Sequence, residues 1–190
     1  MEHYFRSSGY LADDGFTATD GTRFSIGDLP PFLRTLLVAD GTVTKSLEAW
    51  FWEPVQVVPL KNVKTRLKHR VEGLQANTGD EILMREIRLR GQRSGVSYAR
   101  ACSTLALQAL PEDLRRGLLE GKIGIGELLR KQYVETYREV IALDYLPAGE
   151  TAGKLDPIAG SDIVSRSYRI RVRGIPAILV TEYFPLSAYR

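Results

Sequence analysis

The stretch Ala177–Pro185, AILVTEYFP, decides how the chain is read. Ile178, Val180 and Phe184 alternate along it, as they do in a strand, where successive side chains point to opposite faces of a sheet. Glu182 occupies the same register as these apolar residues. An unpaired carboxylate is costly to bury, so this one asks either for a partner or for a function.

Outward from this stretch, period-two patterning recurs. It predicts strands over Val55–Leu67, Ile82–Arg90, Val96–Leu107, Tyr137–Leu146, Val164–Arg173 and Ala177–Phe184. The short connections GQRSG (91–95) and RGIP (173–176) join two of the pairs as antiparallel hairpins. Helices are expected elsewhere. DLPPFLRTLLVADG (28–41) offers Asp28 as a cap, Phe32, Leu33, Leu36 and Leu37 at helical spacing, and Gly41 as a stop. Thr42 caps a second helix with Val43, Leu47, Trp50 and Phe51 on one face, closed by Pro54. Two short helices separated by a glycine-rich turn fill 110–132, with Pro111, Glu112 and Asp113 in a first turn and Gly121 at an end. The expected fold class is α+β: a six-stranded antiparallel sheet with helices packed on one side. Residues 1–27 read as an irregular N-terminal arm and 28–190 as a single domain; the long loops at 68–81 and 147–163 read as functional covers or disordered segments.

Composition narrows the function. With 190 residues the chain buries a sizeable core without disulfides, and its one cysteine, Cys102, fits a reducing, cytoplasmic setting. The only histidines are His3 and His69, which excludes a three-histidine metal site and makes a Ser-His-Asp triad strained. No signal-like or membrane-spanning run is found. A net charge of +3 and a sequence pI of about 9.0 suit an anionic small molecule as well as a polyanion.

A second charge is out of place. In ILMREIRLR (82–90), Leu83, Ile87 and Leu89 share one face, and Arg85 shares it with them. Arginine stays charged, so an arginine on a buried face requires an anion. One reading pairs Arg85 with Glu182 as a structural ion pair across the sheet, although buried pairs often stabilise no more than apolar residues do. The other lines a closed pocket with both. Arg85 then holds a substrate carboxylate, and Glu182, desolvated, serves as an acid or a hydrogen-bond partner. In the turn GKIGIGELL (121–129), Ile125 and Gly126 stand where a helix begins and free N–H groups bind anions; the spacing is not that of a Walker motif.

SRSYRIRVRGIPAILVTEYFP (165–185), LMREIRL (83–89), GIGELL (124–129) and DGTVTKSLE (40–48) together resemble the chorismate lyase (chorismate pyruvate-lyase) family, in the same order and at similar separations from about Leu29 onward. The resemblance implies a six-stranded antiparallel sheet. It also implies conversion of the small-molecule substrate chorismate to 4-hydroxybenzoate, an aromatic acid of the kind that feeds quinone synthesis, and pyruvate, with no metal or organic cofactor. It places the substrate-binding arginine at Arg85, the essential glutamate at Glu182, and further substrate contacts at Ile125 and Val43, where the enterobacterial enzymes carry leucine and methionine.

Two rivals remain. The effector domains of one class of bacterial transcription regulators resemble this fold, which makes a non-catalytic sensor of small carboxylates the alternative; a winged helix does not fit into 27 irregular residues. KNVKTRLKHR (61–70) carries five Lys or Arg, but alternating basic side chains suit a solvated edge strand better than a nucleic-acid surface. Arg169, Arg171 and Arg173 alternate with Tyr168, Ile170 and Val172 and read the same way. Cys102 is expected to pack, His69 to sit in a loop, and Trp50 and Phe51 to belong to the core or border the pocket.

Overall fold

The computed structural model describes residues 15–18, 21–39, 41–121, 123–148 and 161–190. All six predicted strands form: β3 (Val55–Arg66), β4 (Glu81–Gly91), β5 (Ser97–Ala106), β6 (Thr136–Leu146), β7 (Ile163–Val172) and β8 (Ile175–Pro185). They make one antiparallel sheet in the order β3-β4-β5-β8-β7-β6, so the C-terminal strand enters the middle, between β5 and β7. That central place explains why Ile178, Val180 and Phe184 are all buried.

Register carries the apolar face across the sheet. Leu83 stands opposite Leu105, Leu105 opposite Ile178, and Ile178 opposite Ile170. Helices α1 (Pro31–Val38) and α2 (Val43–Phe51) bury Leu33, Leu36, Leu37, Val43 and Leu47 against Leu89, Ala99, Val164 and Phe184 at one end of this face. Helices α3 (Glu112–Glu120) and α4 (Ile125–Lys131) bury Leu114, Leu118, Leu128 and Leu129 against Leu83, Leu105, Ile170 and Ile178 at the other. The α+β layering expected from the sequence is therefore the fold. Among the described residues, no helix is long and apolar enough to cross a membrane.

Several local expectations shift. Asp28 does not cap α1: it ends a 3-10 turn, Ile26–Asp28, whose cap is the Ser25 hydroxyl accepting from Gly27 N at 3.2 Å. The helix waits for Pro30 and Pro31, whose fixed φ is already helical. Thr42 is the N-cap residue of α2, and α2 ends before Pro54, at Phe51, with Trp52 turning left-handed at φ 53°. Trp50 is 58% exposed and stacks on Phe32, whereas Phe51 stacks on Tyr98 within the core.

The arm expected to be irregular contains a short hairpin, β1 (Gly15–Thr17) paired with β2 (Arg23–Ser25), closed by a backbone bond from Ala18 N to Thr22 O at 2.8 Å. Phe24 stacks on Tyr145 of β6 at 4.5 Å, which seats the hairpin against that edge. Residues 1–14, 19 and 20 of the arm and most of the loop at 147–163 lie outside the described residues. The loop at 68–81 covers the reverse face of the sheet, packing Leu74 and Ala76 with Leu67 on Ile82 and Ala106. Lys61, Lys64 and Arg66 stay exposed along edge strand β3, and Arg169 and Arg171 of the reverse face are satisfied by Glu139.

Candidate active site

Between the two helical clusters, the covered face of the sheet changes from apolar to polar. Arg85 on β4, Ser103 on β5, Glu182 on β8 and Tyr168 on β7 open onto one cavity of about 180 Å³. Ala101, Val180 and Ile170 complete its floor, and the first turns of α2 and α4 form its upper wall. All four residues assigned by the family resemblance, Arg85, Glu182, Val43 and Ile125, line this single cavity. Val43 and Ile125 are the first residues of α2 and α4, positions whose N–H has no acceptor within its own helix.

Arg85 is 4% exposed. Its Nη2 donates to Ile123 O at 2.9 Å and lies 3.5 Å from Gly121 O, so the guanidinium ties β4 to the turn between α3 and α4. Its Nη1 is buried without a hydrogen-bond partner among the described residues. Burial pulls the pKa of this guanidinium below its ordinary value, but arginine remains charged at any physiological pH. The result is a desolvated cation with one donor group that no described residue satisfies.

Glu182 is not its partner. The carboxylate stands opposite Arg166 in the β7–β8 ladder, and Arg166 donates to its Oε2 from Nη2 at 2.7 Å and from Nε at 3.2 Å. Tyr168 OH donates to Oε1 at 3.0 Å. Arg166 is 2% exposed, and its Nη1 is held by the carbonyls of Leu36 and Ala39 at the end of α1. Burial and then the Glu182 charge push the Tyr168 phenol well above its ordinary pKa, so it remains a protonated donor. The structural ion pair suggested for Arg85 and Glu182 is therefore replaced by an Arg166–Glu182–Tyr168 cluster.

Arg166 was legible in one respect. Val164, Arg166, Tyr168, Ile170 and Val172 share the buried face of β7, so an arginine interrupts that alternation as Arg85 interrupts that of β4. Its pairing with Glu182 depends on the register of the β7–β8 hairpin, which shifts by one residue between Ile170 and Arg171 and which the alternation does not contain. Cys102 lies on the reverse face with Sγ 3.4 Å from Glu86 Oε1, and burial pushes its thiol up to about 11, as befits a packing residue.

In this α+β domain a buried, half-unpaired guanidinium and a fixed carboxylate line one small cavity, an arrangement whose chemistry suits a small organic anion. The chain belongs to the family described as Chorismate pyruvate-lyase Rv2949c-like, whose profile matches residues 37–190. A chorismate pyruvate-lyase of Mycobacterium leprae is 30% identical over 172 residues, covering 89% of this chain and 81% of that protein. One from Mycobacterium tuberculosis is 28% identical over 166 residues, covering 83% and 81%. Among solved structures, the effector domain of PhnF from Mycobacterium smegmatis superposes with a TM-score of 0.58 at 14% identity, covering 78% of this chain and 90% of that one. That last likeness extends to the fold.

Proposed function

We propose that this protein eliminates pyruvate from chorismate to give 4-hydroxybenzoate, with residues 28–190 acting as one catalytic domain. The observation that carries this reading is the buried Nη1 of Arg85, unpartnered among the described residues, on a side chain that lines the same cavity as Glu182. A carboxylate satisfies such a donor by a charge-assisted bond, roughly twice as strong as a neutral one.

In this reading the ring carboxylate of chorismate rests on Arg85, and the N–H groups of Val43 and Ile125 contact the ligand from the upper wall. Glu182 faces the C4 hydroxyl as an acceptor. Both of its oxygens already receive donors from Arg166 and Tyr168, which suits a fixed acceptor better than a proton-delivering acid. The reaction then needs no external acid. The C4 hydrogen passes to the methylene carbon of the enolpyruvyl group, the C3–O bond breaks, and its electrons form the pyruvate carbonyl as the ring becomes aromatic. Aromatisation supplies the driving force, and the protein contributes position and dehydration.

The test is to incubate purified, chelator-treated protein with chorismate and follow both products. Equimolar 4-hydroxybenzoate and pyruvate support the reading. Tight binding of chorismate and 4-hydroxybenzoate without turnover overturns it in favour of a sensor, and absence of binding points to a different anion.

A further inference from the structure

We propose that Arg138 is a second carboxylate reader in the same cavity, taking the enolpyruvyl carboxylate while Arg85 takes the ring carboxylate. The assignment rests on the chorismate reading above and adds to it the residue that distinguishes a dicarboxylate substrate from its monocarboxylate product.

The geometry of the sheet points to Arg138. It lies on β6, opposite Ile170, and lines the cavity with Arg85. From β4 to β6 the sheet order counts four ladder steps, which at 4.7–4.9 Å each sets the two backbones about 19 Å apart. Two of the longest side chains thus reach into one cavity from opposite sides, over a floor of short or apolar residues, Ala101, Ser103 and Val180. The positive charge of Arg138 acts on the Tyr168 phenol, which places it on the Glu182 side of the cavity.

Local packing holds the guanidinium there. Arg138 Nη1 donates to Gly41 O just ahead of α2, and a Cβ on Gly126 at the start of α4 would stand only 3.3 Å from Arg138 Nη2. The missing side chain at 126 lets the guanidinium pass between the two helix starts. Arg138 also borders a second, more open depression of about 290 Å³ shared with Thr42, Gly126 and Tyr137, so it stands at the junction of the inner cavity and the surface. Arg130 lines both spaces too, but it is exposed on α4, where water screens its charge.

The experiment measures binding of two stable probes by calorimetry: 4-hydroxybenzoate, with one carboxylate, and 3-(1-carboxyvinyloxy)benzoate, an aromatic analogue that keeps both and has no hydrogen to eliminate. Arg138→Gln is expected to weaken the dicarboxylate on the order of ten- to a hundred-fold and to leave 4-hydroxybenzoate within about two-fold, the loss of one charged hydrogen-bond set. Arg138→Lys is expected to recover part of the loss, and Arg130→Gln to change neither ligand appreciably. Equal weakening of both ligands by Arg138→Gln, or of neither, overturns the assignment. So does wild-type protein that binds the two probes equally, which leaves the chorismate reading standing on turnover. Wild-type protein that binds neither probe and does not turn over chorismate removes the substrate reading, and this assignment with it.

Discussion

Arg166 stands directly opposite Glu182 in the β7–β8 ladder and donates two hydrogen bonds to one of its carboxylate oxygens, which leaves Arg85 to face the cavity without it. The two arginines are thereby separated: one neutralises the protein's own acid, and in the proposed reading the other takes the ligand's.

Removing one member of the buried pair leaves the other uncompensated. Arg166→Met is expected to destabilise the fold by about 3–5 kcal/mol, and the double variant Arg166→Met/Glu182→Met to restore much of that loss. Urea unfolding of the two singles and the double measures it. Strict additivity would mean that the pair is not energetically coupled.

Arg85→Ala deletes both the proposed ligand donor and the bond from Nη2 to Ile123 O. Affinity for 4-hydroxybenzoate and the KM for chorismate are expected to worsen about ten- to a hundred-fold, the worth of a charged hydrogen bond. An unchanged saturation curve would remove Arg85 from the site.

Glu182→Gln preserves shape while removing charge. If the carboxylate orients the substrate through its fixed acceptor geometry, kcat is expected to fall by about 10²-fold or more. Near-wild-type turnover in a variant shown to be folded would show that the acid group is dispensable.

Glu53 gives the fold an acid-sensitive joint. Its carboxylate accepts from Arg93 N at 2.7 Å, Ser94 N at 3.0 Å and Tyr98 OH, fastening the β4–β5 turn. The Ser94 hydroxyl, then the Tyr98 hydroxyl and the backbone donors, lower its pKa from 4.5 to about 2. A depressed carboxylate stabilises the fold above its unfolded pKa, and that contribution is lost as pH falls from about 4.5 toward 2. Glu53→Gln is expected to flatten the pH dependence of the unfolding midpoint over that window, and an unaltered slope counts against the linkage.

Gly121 ends α3 at φ 72°, where a Cβ would stand 2.8 Å from Asn62 Nδ2, and Asn62 itself donates to Leu119 O at 2.8 Å. Gly121→Ala is expected to cost about 1–2 kcal/mol from the positive φ and the displaced amide. Thermal melts report the loss, and an unchanged melting temperature would show that the turn absorbs the methyl freely.

The strands were legible because turns punctuate a clean period of two, and that same regularity exposed Arg85 and Glu182 as exceptions. The partner of Glu182 was only half legible: the RGIP turn pairs β7 with β8, but an irregularity between Ile170 and Arg171 moves the ladder by one residue, so that Arg166 rather than Ser165 stands opposite Glu182, and period alone carries no such shift. The helix starts at Val43 and Ile125 were visible from the threonine and glycine that precede them. The true start of α1 was obscured because Asp28 offers a good capping side chain two residues too early, ahead of the two prolines. Arg138 offered no signal in its own strand, since its position beside the cavity is set by the helix starts that flank it.

The guanidinium of Arg85 is shared between the cavity and the carbonyls of the α3–α4 turn. If a ligand takes the Nη1 side as proposed, its occupancy and the integrity of that helical cover become linked equilibria: a ligand selective for the folded site adds RT ln(1 + [L]/Kd) to stability. Part of that gain falls on α3 and α4, so their amide hydrogens are where slowed exchange should first register an occupied site.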